Sequence, residues 1–560
     1  MKALIVLLAI VLRTEMREGV ERAEVRHAAT GEAVSEQSPA APGEALIAMV
    51  AAPEGDISVM VGEETVPALR LDEERVQFIL PATANSSFVE VSVVSGEERS
   101  NAATFPVGQA DPGQLTAGEV DGLVTRAALA IDDPAMAIAV VDRMGRPLAI
   151  YRKPRAVAGD VETALGLART GAFFSHNQAP LSSRTVRTIS RENFPNDVPN
   201  QPAAALFGIE NTNRGCDLNT AFLPGKSVPP SRNSAGTGFS FSIVTLPGGI
   251  PLYKNGAMVG GLGVAGFHFD AAEFAAVAAV AGTPFFVPLP LPPPGAVFID
   301  GIRLPFVNQV ARPGGTQGAG APGGSYQIAP RDGGAAPDGY LAGPRAGATL
   351  TAAEVEGIIQ RAIDRANKTR AVIRLPLGSR ARFVIAVTDL DGNVLGLYRM
   401  ADSTVFSIDV AVAKARNVVY FSGPLADPRD LPGVATGTAV TNRTIGFGAQ
   451  SFFPSGIEDS TAGPFRELYL FDLTNPCTQG RQPRNPNQSG IVFFPGAAPL
   501  YKSGRLVGGL GVSGDGVEQD DYVTAAGAEG FEAPPEIRAD QVFVRGVRLP
   551  YWKFPRNPEQ

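Results

Sequence analysis

The side chains whose types and spacing could do chemistry fall into a few groups. Lys414 stands in the run Ala413-Lys414-Ala415, and an acidic run, Glu518-Gln519-Asp520-Asp521, follows a glycine-rich strand much later in the chain. Folded against each other, these residues would make a polar pocket. The competing reading is a capped helix whose first-turn acids meet the positive end of its dipole. Gly509-x-Gly511-x-x-Gly514 and Gly261-x-Gly263-x-x-Gly266 match a dinucleotide fingerprint. That use requires a parallel strand, a turn and a helix with a phosphate at its start, and the acids after Gly514 repel a phosphate. Glycines that let a strand pass close to a helix or another subunit fit better. Asp389-x-Asp391-Gly392-Asn393 has the opening of a calcium loop, but Leu397-Tyr398 stands where a bidentate Glu is needed, so a hairpin turn is expected. No Ser/His/Asp or Cys/His set, zinc spacing or phosphate loop occurs, which leaves a hydrolase or metalloenzyme without residues.

The elements that must position these groups occur twice. Leu252-Tyr253-Lys254-Asn255-Gly256-Ala257-Met258-Val259-Gly260-Gly261-Leu262-Gly263-Val264-Ala265-Gly266 is repeated from Leu500 to Gly514 as Leu-Tyr-Lys-Ser-Gly-Arg-Leu-Val-Gly-Gly-Leu-Gly-Val-Ser-Gly. Val140, Asp142, Gly145, Leu148, Tyr151 and Arg152 match Val387, Asp389, Gly392, Leu395, Tyr398 and Arg399 without a gap. The chain therefore carries a duplicated domain. Each copy opens with a helix capped by Thr116 or Thr351, with Glu119 or Glu354 three residues on as a capping box. A hairpin follows, Phe383–Val387 and Val394–Tyr398 in the second copy, then a helix from Ser407 to Tyr420 and a long polar insert. Two strands hinged on Tyr253–Gly256 or Tyr501–Gly504, a helix and a last strand close the unit. This order predicts an α+β fold with a largely antiparallel sheet and flanking helices.

The 560 residues exceed one core, and a net charge of −8 with no basic patch argues against nucleic acid as a partner. Met1–Leu12 has the length of a signal-peptide core, too short to span a bilayer, so secretion or a periplasmic location is expected, with residues 1–42 as leader and linker. No other stretch could be a membrane span. Residues 43–110 hold short β-rich runs, Ile57–Val61, Val76–Leu80 and Phe88–Val94, between Pro, Gly and Asn turns. They end in Val93-Val94-Ser95-Gly96 and Thr104-Phe105-Pro106-Val107, and this segment resembles the small Ig-like domains of the IPT/TIG type. The first copy occupies 111–307 and the second 350–560. The Gly/Pro-dense linker 308–349 is expected to be extended or mobile and to let the copies pair face to face. Cys216 and Cys477 fall one per copy: two unpaired thiols is the plainer reading, a bridge between the inserts the alternative.

The succession Val387-Thr388-Asp389-x-Asp391-Gly392-Asn393, Tyr398-Arg399-Met400-Ala401-Asp402, Ser407, Ala413-Lys414-Ala415, Val507–Gly514 and Glu518–Asp521 resembles the GlcG/HbpS-like family. The resemblance implies two tandem profilin-like domains, oligomerisation, and in some members the binding or breakdown of haem; other members sit beside glycolate or cobalamin enzymes. It points to Arg399, Met400, Asp402, Lys414, Tyr501, Lys502, Gly508, Gly509, Glu518 and Asp521 as ligand-binding positions. The first copy departs from the pattern: Met400, Asp402, Ser407 and Lys414 become Lys153, Arg155, Asp160 and Leu167, so the second copy is the better site and the first a structural partner. Haem iron needs an axial donor and its propionates need cations. Of the histidines, His27 lies in the leader while His176 and His268 lie in the first copy; His268, just past the glycine strand, could ligate, with a surface or loop histidine the plainer reading. Tyr398, Met400, Tyr501 and Lys414 are the second copy's own donors, with Arg399 and Lys502 for propionates. A haem- or tetrapyrrole-binding role leads. A protein-interaction role through the inserts Asn177–Ser240 and Gly423–Ser489, or a small-acid-binding accessory role dependent on Lys414, are its rivals; haem degradation rests on the resemblance only.

Overall fold

The computed structural model describes residues 24–27, 33–35, 39–40, 45–50, 54–81, 88–107, 114–196, 198–211, 243–287, 297–457, 459–475 and 477–559. The apolar leader Met1–Leu12, Cys216 and the middle of the first insert lie outside them. The chain divides into two compact units, Met1–Ala110 and Asp111–Gln560.

The described residues of the first unit are all β: β1 (Glu24–His27), β2 (Ala45–Met49), β3 (Ser58–Val61), β4 (Glu64–Arg70), β5 (Arg75–Ile79), β6 (Phe88–Ser95), β7 (Glu98–Arg99) and β8 (Ala103–Pro106). They pair antiparallel in the order β1-β2-β5-β4-β3-β6-β7, with β8 on β6. Leu46, Val59, Val76, Phe78 and Val93 fill its core, the alternation expected of strands with one face buried.

In the second unit, copy one comprises α1 (Ala117–Ala130), β9 (Ala137–Asp142), β10 (Pro147–Arg152), α2 (Ala158–Phe174), α3 (Ser183–Thr188), β11 (Gly249–Lys254), β12 (Ala257–Ala265), α4 (Phe269–Val280), β13 (Phe298–Ile299) and β14 (Ile302–Arg303). The linker then supplies β15 (Ser325–Ile328) and β16 (Gly339–Ala342). Copy two follows as α5 (Ala352–Ala366), β17 (Phe383–Thr388), β18 (Val394–Arg399), α6 (Ser407–Ser422), α7 (Asn442–Gly448), α8 (Arg466–Thr474), β19 (Ala497–Lys502), β20 (Arg505–Gly514), α9 (Val517–Gly527), β21 (Phe543–Val544) and β22 (Val547–Arg548). The opening helices start where the threonines place them: Thr116 and Thr351 accept from the amides of Glu119 and Glu354 at 3.3 and 3.2 Å, and each glutamate carboxylate accepts the threonine amide at 2.8 Å.

The two antiparallel sheets share one topology, β11-β12-β9-β10-β15 and β19-β20-β17-β18-β16. The linker is therefore not free chain but the fifth strand of both. Tyr326 pairs with Tyr151 and Tyr340 with Tyr398, ring centroids 5.1 and 5.0 Å apart edge to face. A Tyr-centred run of a few residues suffices for an edge strand, and composition alone hides it among Gly and Pro.

Each sheet is covered on both faces, and β9 and β17 alternate accordingly. Ile138 and Val140 face α1 and α4, while Ala137, Ala139 and Val141 face α2. Phe383, Ile385 and Val387 face α5 and α9, while Val384 and Ala386 face α6. The α2 face of copy one and the α6 face of copy two belong to one apolar cluster, in which Phe174 stacks on Phe406 with ring centroids 4.9 Å apart. Cys477 is disulfide-bonded, which corrects the reading of two unpaired thiols; the chain's other cysteine, Cys216, is outside the described residues. No helix among the described residues is long and apolar enough to cross a membrane.

Candidate functional site

Lys414 and the acidic run do meet. Lys414, on α6, is fully buried; its Nζ donates to Asp520 Oδ2 at 2.8 Å and to the Val512 carbonyl at 2.9 Å, and lies 4.9 Å from the Phe494 ring centroid. Burial lowers the lysine pKa, with Asp520 opposing the shift. Burial raises the Asp520 carboxyl to about 7, with Lys414 opposing. The acids also stand in the first two turns of α9, so the helix-dipole reading and the pocket reading describe the same residues. Gly496 passes so close that a Cβ there would lie 2.7 Å from Lys414 Nζ.

Asp521 binds α7, the C-terminal segment and the loop before β19. Its carboxylate takes the guanidinium of Arg443, the Lys553 amide at 3.2 Å and the Gly496 amide at 3.1 Å. Burial raises its pKa, Arg443 working against it. Copy one has the same joint: Arg184 donates to Glu273 at 2.7 and 2.9 Å, and Glu273 accepts the amides of Asn308 and Gln309. This part of the polar decoration is kept in copy one. The Lys414–Asp520 pair has gone, replaced by Leu167 and Ala272, which lie together beside Gly248 as the pair lies beside Gly496.

The segment Phe493–Pro495, braced in this way, forms a wall of a cavity of about 720 Å³. Phe494, Trp552, Arg443, Arg548, Lys553 and Glu518 line it from copy two, while Phe194, Phe207, Ile299 and Asp300 close it from copy one. Three cations face two carboxylates, and Lys553 pairs with Glu518. The volume is that of a small-molecule site, apolar with a few convergent polar groups.

The remaining expected residues lie elsewhere. Asp402, at φ 58°, accepts from Arg374 at 2.7 Å and from the Asn177 amide at 3.0 Å. Arg374 is fully buried between Asp402 and Asp515 and also donates to Gln178 of copy one at 3.0 Å. Burial works against its charge, and the two aspartates more than offset this, leaving its pKa raised. Arg399 is buried on the carbonyls of Pro337 and Ser403, its pKa brought down to about 9 by burial and by Arg143. Met400 packs in the core beneath α5, and Tyr501 in the cluster of Tyr420 and Phe465, its hydroxyl pushed up to about 12 by burial. Lys502 pairs with Glu354 at 2.7 Å on the surface. A Cβ on Gly508 would meet the Thr388 carbonyl at 2.3 Å, and on Gly509 the Ala415 carbonyl at 2.2 Å. The same contact recurs at Gly261 with Ala168, at 2.0 Å, so the glycines seat a strand on a helix in both copies.

His176 is fully buried and its Nδ1 accepts from the amides of Gln178 and Ala179; burial, then Arg374 and Arg143, hold its pKa well below the ordinary value. His268 is the exposed N-cap of α4. Asp389 accepts from the backbone amides of Asp391 and Asn393 and from the Asn393 side-chain amide, the bonds of a hairpin turn. No cluster of three metal-ligating side chains occurs among the described residues. Arg443, Arg548, Trp552 and Phe494 went unread in the sequence. Only Trp552, the chain's one tryptophan, and Arg548, in the run Gly546-Val547-Arg548-Leu549-Pro550 that matches Gly301-Ile302-Arg303-Leu304-Pro305, carried any signal.

This pair of sheets, seated on glycine-backed helices, defines the class of the protein. The family described as haem degrading protein HbpS-like matches residues 119–281 and 350–529, more than half of the chain, and the chain belongs to it. Among solved structures, the Klebsiella pneumoniae protein ORFY aligns over 34% of this chain and 94% of its own at 21% identity, with a TM-score of 0.22. A PduOC–haem complex aligns over 33% of this chain and 97% of its own at 20% identity, also with a TM-score of 0.22. No curated protein matches the chain.

Proposed function

We propose that the chain binds haem or a related tetrapyrrole in the cavity between its two repeats. The observation that carries the reading is the lining: aromatic walls from both copies, with Arg443, Arg548 and Lys553 converging on one space of about 720 Å³. An apolar macrocycle with carboxylate arms needs those two surfaces, and cations of this kind meet carboxylates through charge-assisted hydrogen bonds. Membership of the HbpS-like family supports the ligand class. The lining fits the macrocycle's faces and carboxylates, but not its iron, because no His, Cys, Met or Tyr is among the described lining residues.

The two repeats act in this reading as a pseudo-symmetric pair, supported by their shared apolar cluster and by Arg374 joining Gln178 of copy one to Asp402 and Asp515 of copy two. An exported location belongs to the same proposal, supported by the disulfide at Cys477, since such bonds persist in oxidising compartments. The test is an absorbance titration of the full chain with haem. A saturable Soret shift, weakened about tenfold or more in Arg548→Glu, is the expected result; no shift at all overturns the reading.

A further inference from the structure

The groups that line the cavity narrow the ligand further, on the basis of the tetrapyrrole reading above. A protein that holds haem by its iron presents His, Cys, Met or Tyr to the metal. Here those residues are committed elsewhere or lie outside the described residues. His176 is sealed in the network of Arg374 and Asp515, 3.9 Å from Asp515 Oδ1, and its Nδ1 is taken by two amides. His268 stands on the surface at the start of α4. Met400 and Tyr501 are core residues, exposed by 5% each. The cavity instead offers flat apolar contact from Phe194, Phe494 and Trp552, and positive charge at the exposed Arg548 and Lys553 and at Arg443, which Asp521 fixes in place.

We propose that this cavity recognises a tetrapyrrole by its apolar faces and its carboxylates alone, with no protein ligand to a central metal. The metal-free macrocycle is then bound as well as haem. The wall that carries this recognition is held by groups on copy two, and it is completed by Phe194 and Ile299 of copy one. Copy one is thus part of the binding site and not only a structural partner.

The experiment uses the full chain and the emission of Trp552, its one tryptophan, which lines the cavity. Haem and metal-free protoporphyrin IX are titrated separately, in the parent chain and in Arg548→Glu and Phe194→Ala. The expected result is quenching by both compounds, with Kd values within about threefold of each other, and with both weakened to the same extent by each substitution. Haem binding about tenfold or more tighter than the metal-free compound, with the absorption spectrum of axially ligated iron, overturns this inference and leaves the tetrapyrrole reading standing. Quenching by neither compound overturns the tetrapyrrole reading itself, and this inference with it. An unchanged far-ultraviolet circular dichroism spectrum in the variants shows that the losses are not loss of fold.

Discussion

Lys414 and Asp520 occupy positions that copy one fills with Leu167 and Ala272, on the same backbone and beside the equivalent glycine. The fold therefore closes without an ion pair there. Burying two charges costs several kcal/mol per ion, repaid only by good mutual geometry, and removing one partner strands the other. Asp520→Ala alone, or Lys414→Leu alone, is expected to lower stability by about 3–5 kcal/mol. The double change Lys414→Leu/Asp520→Ala is expected to fall within about 1 kcal/mol of the parent, or above it. Urea unfolding of the four chains decides this; a double variant as unstable as the summed singles contradicts it. The pair also gives the chain a pH signature. A carboxyl raised to about 7, against about 3.9 unfolded, keeps its proton longer in the folded state. Its stabilising contribution is full below the unfolded value and is lost as pH rises through about 7. Lys414, lowered by burial, acts with the opposite slope, between its folded and unfolded values. Between about pH 4 and 7 the parent chain should lose stability relative to the double variant; parallel pH profiles would count against this.

The glycine strands and the capped helices were legible in the sequence because each is a local device with a fixed spacing. Gly261, Gly263, Gly509 and Gly511 were read as points of close approach, and a Cβ at each would stand 2.0–2.2 Å from a helix carbonyl oxygen. Gly511→Ala must push β20 off α6 and is expected to cost about 3 kcal/mol or more. Gly122, on α1, has open space around its Cβ position, so Gly122→Ala is expected to raise stability by about 0.5–1 kcal/mol through helix propensity. Thermal unfolding of the two variants should move in opposite directions, and a shared direction would refute the packing argument. Other features could not be read in this way. Arg443 reaches Asp521 from a helix inside the polar insert, and no periodicity connects the two. Arg374 bridges residues of both copies, so its role exists only after they pack. The linker strands were missed because pairing with a Tyr on the neighbouring strand, not composition, defines them.

At the scale of the whole molecule, duplication set the architecture and divergence set the site. Two sheets of one topology meet through α2 and α6, and segments of both copies line a cavity that neither copy forms alone. The repeat was visible from residue 115 onward, whereas the cavity was not, because its walls come from segments far apart in the chain. Arg374→Met removes the charge that ties Gln178 of copy one to Asp402 and Asp515. It strands the buried Asp515 carboxylate and takes one cation from the part-buried Asp402, with an expected cost of about 3–5 kcal/mol read as an earlier calorimetric transition of residues 111–560; an unmoved transition would show that the copies are not coupled there. One composite site per chain fixes the stoichiometry of binding. Trp552 emission is followed while haem is added to a concentration of chain well above Kd. The expected result is a break at one haem per chain with Trp552 quenched at that point. A break at two, one per repeat, or saturation without quenching of Trp552, would contradict it.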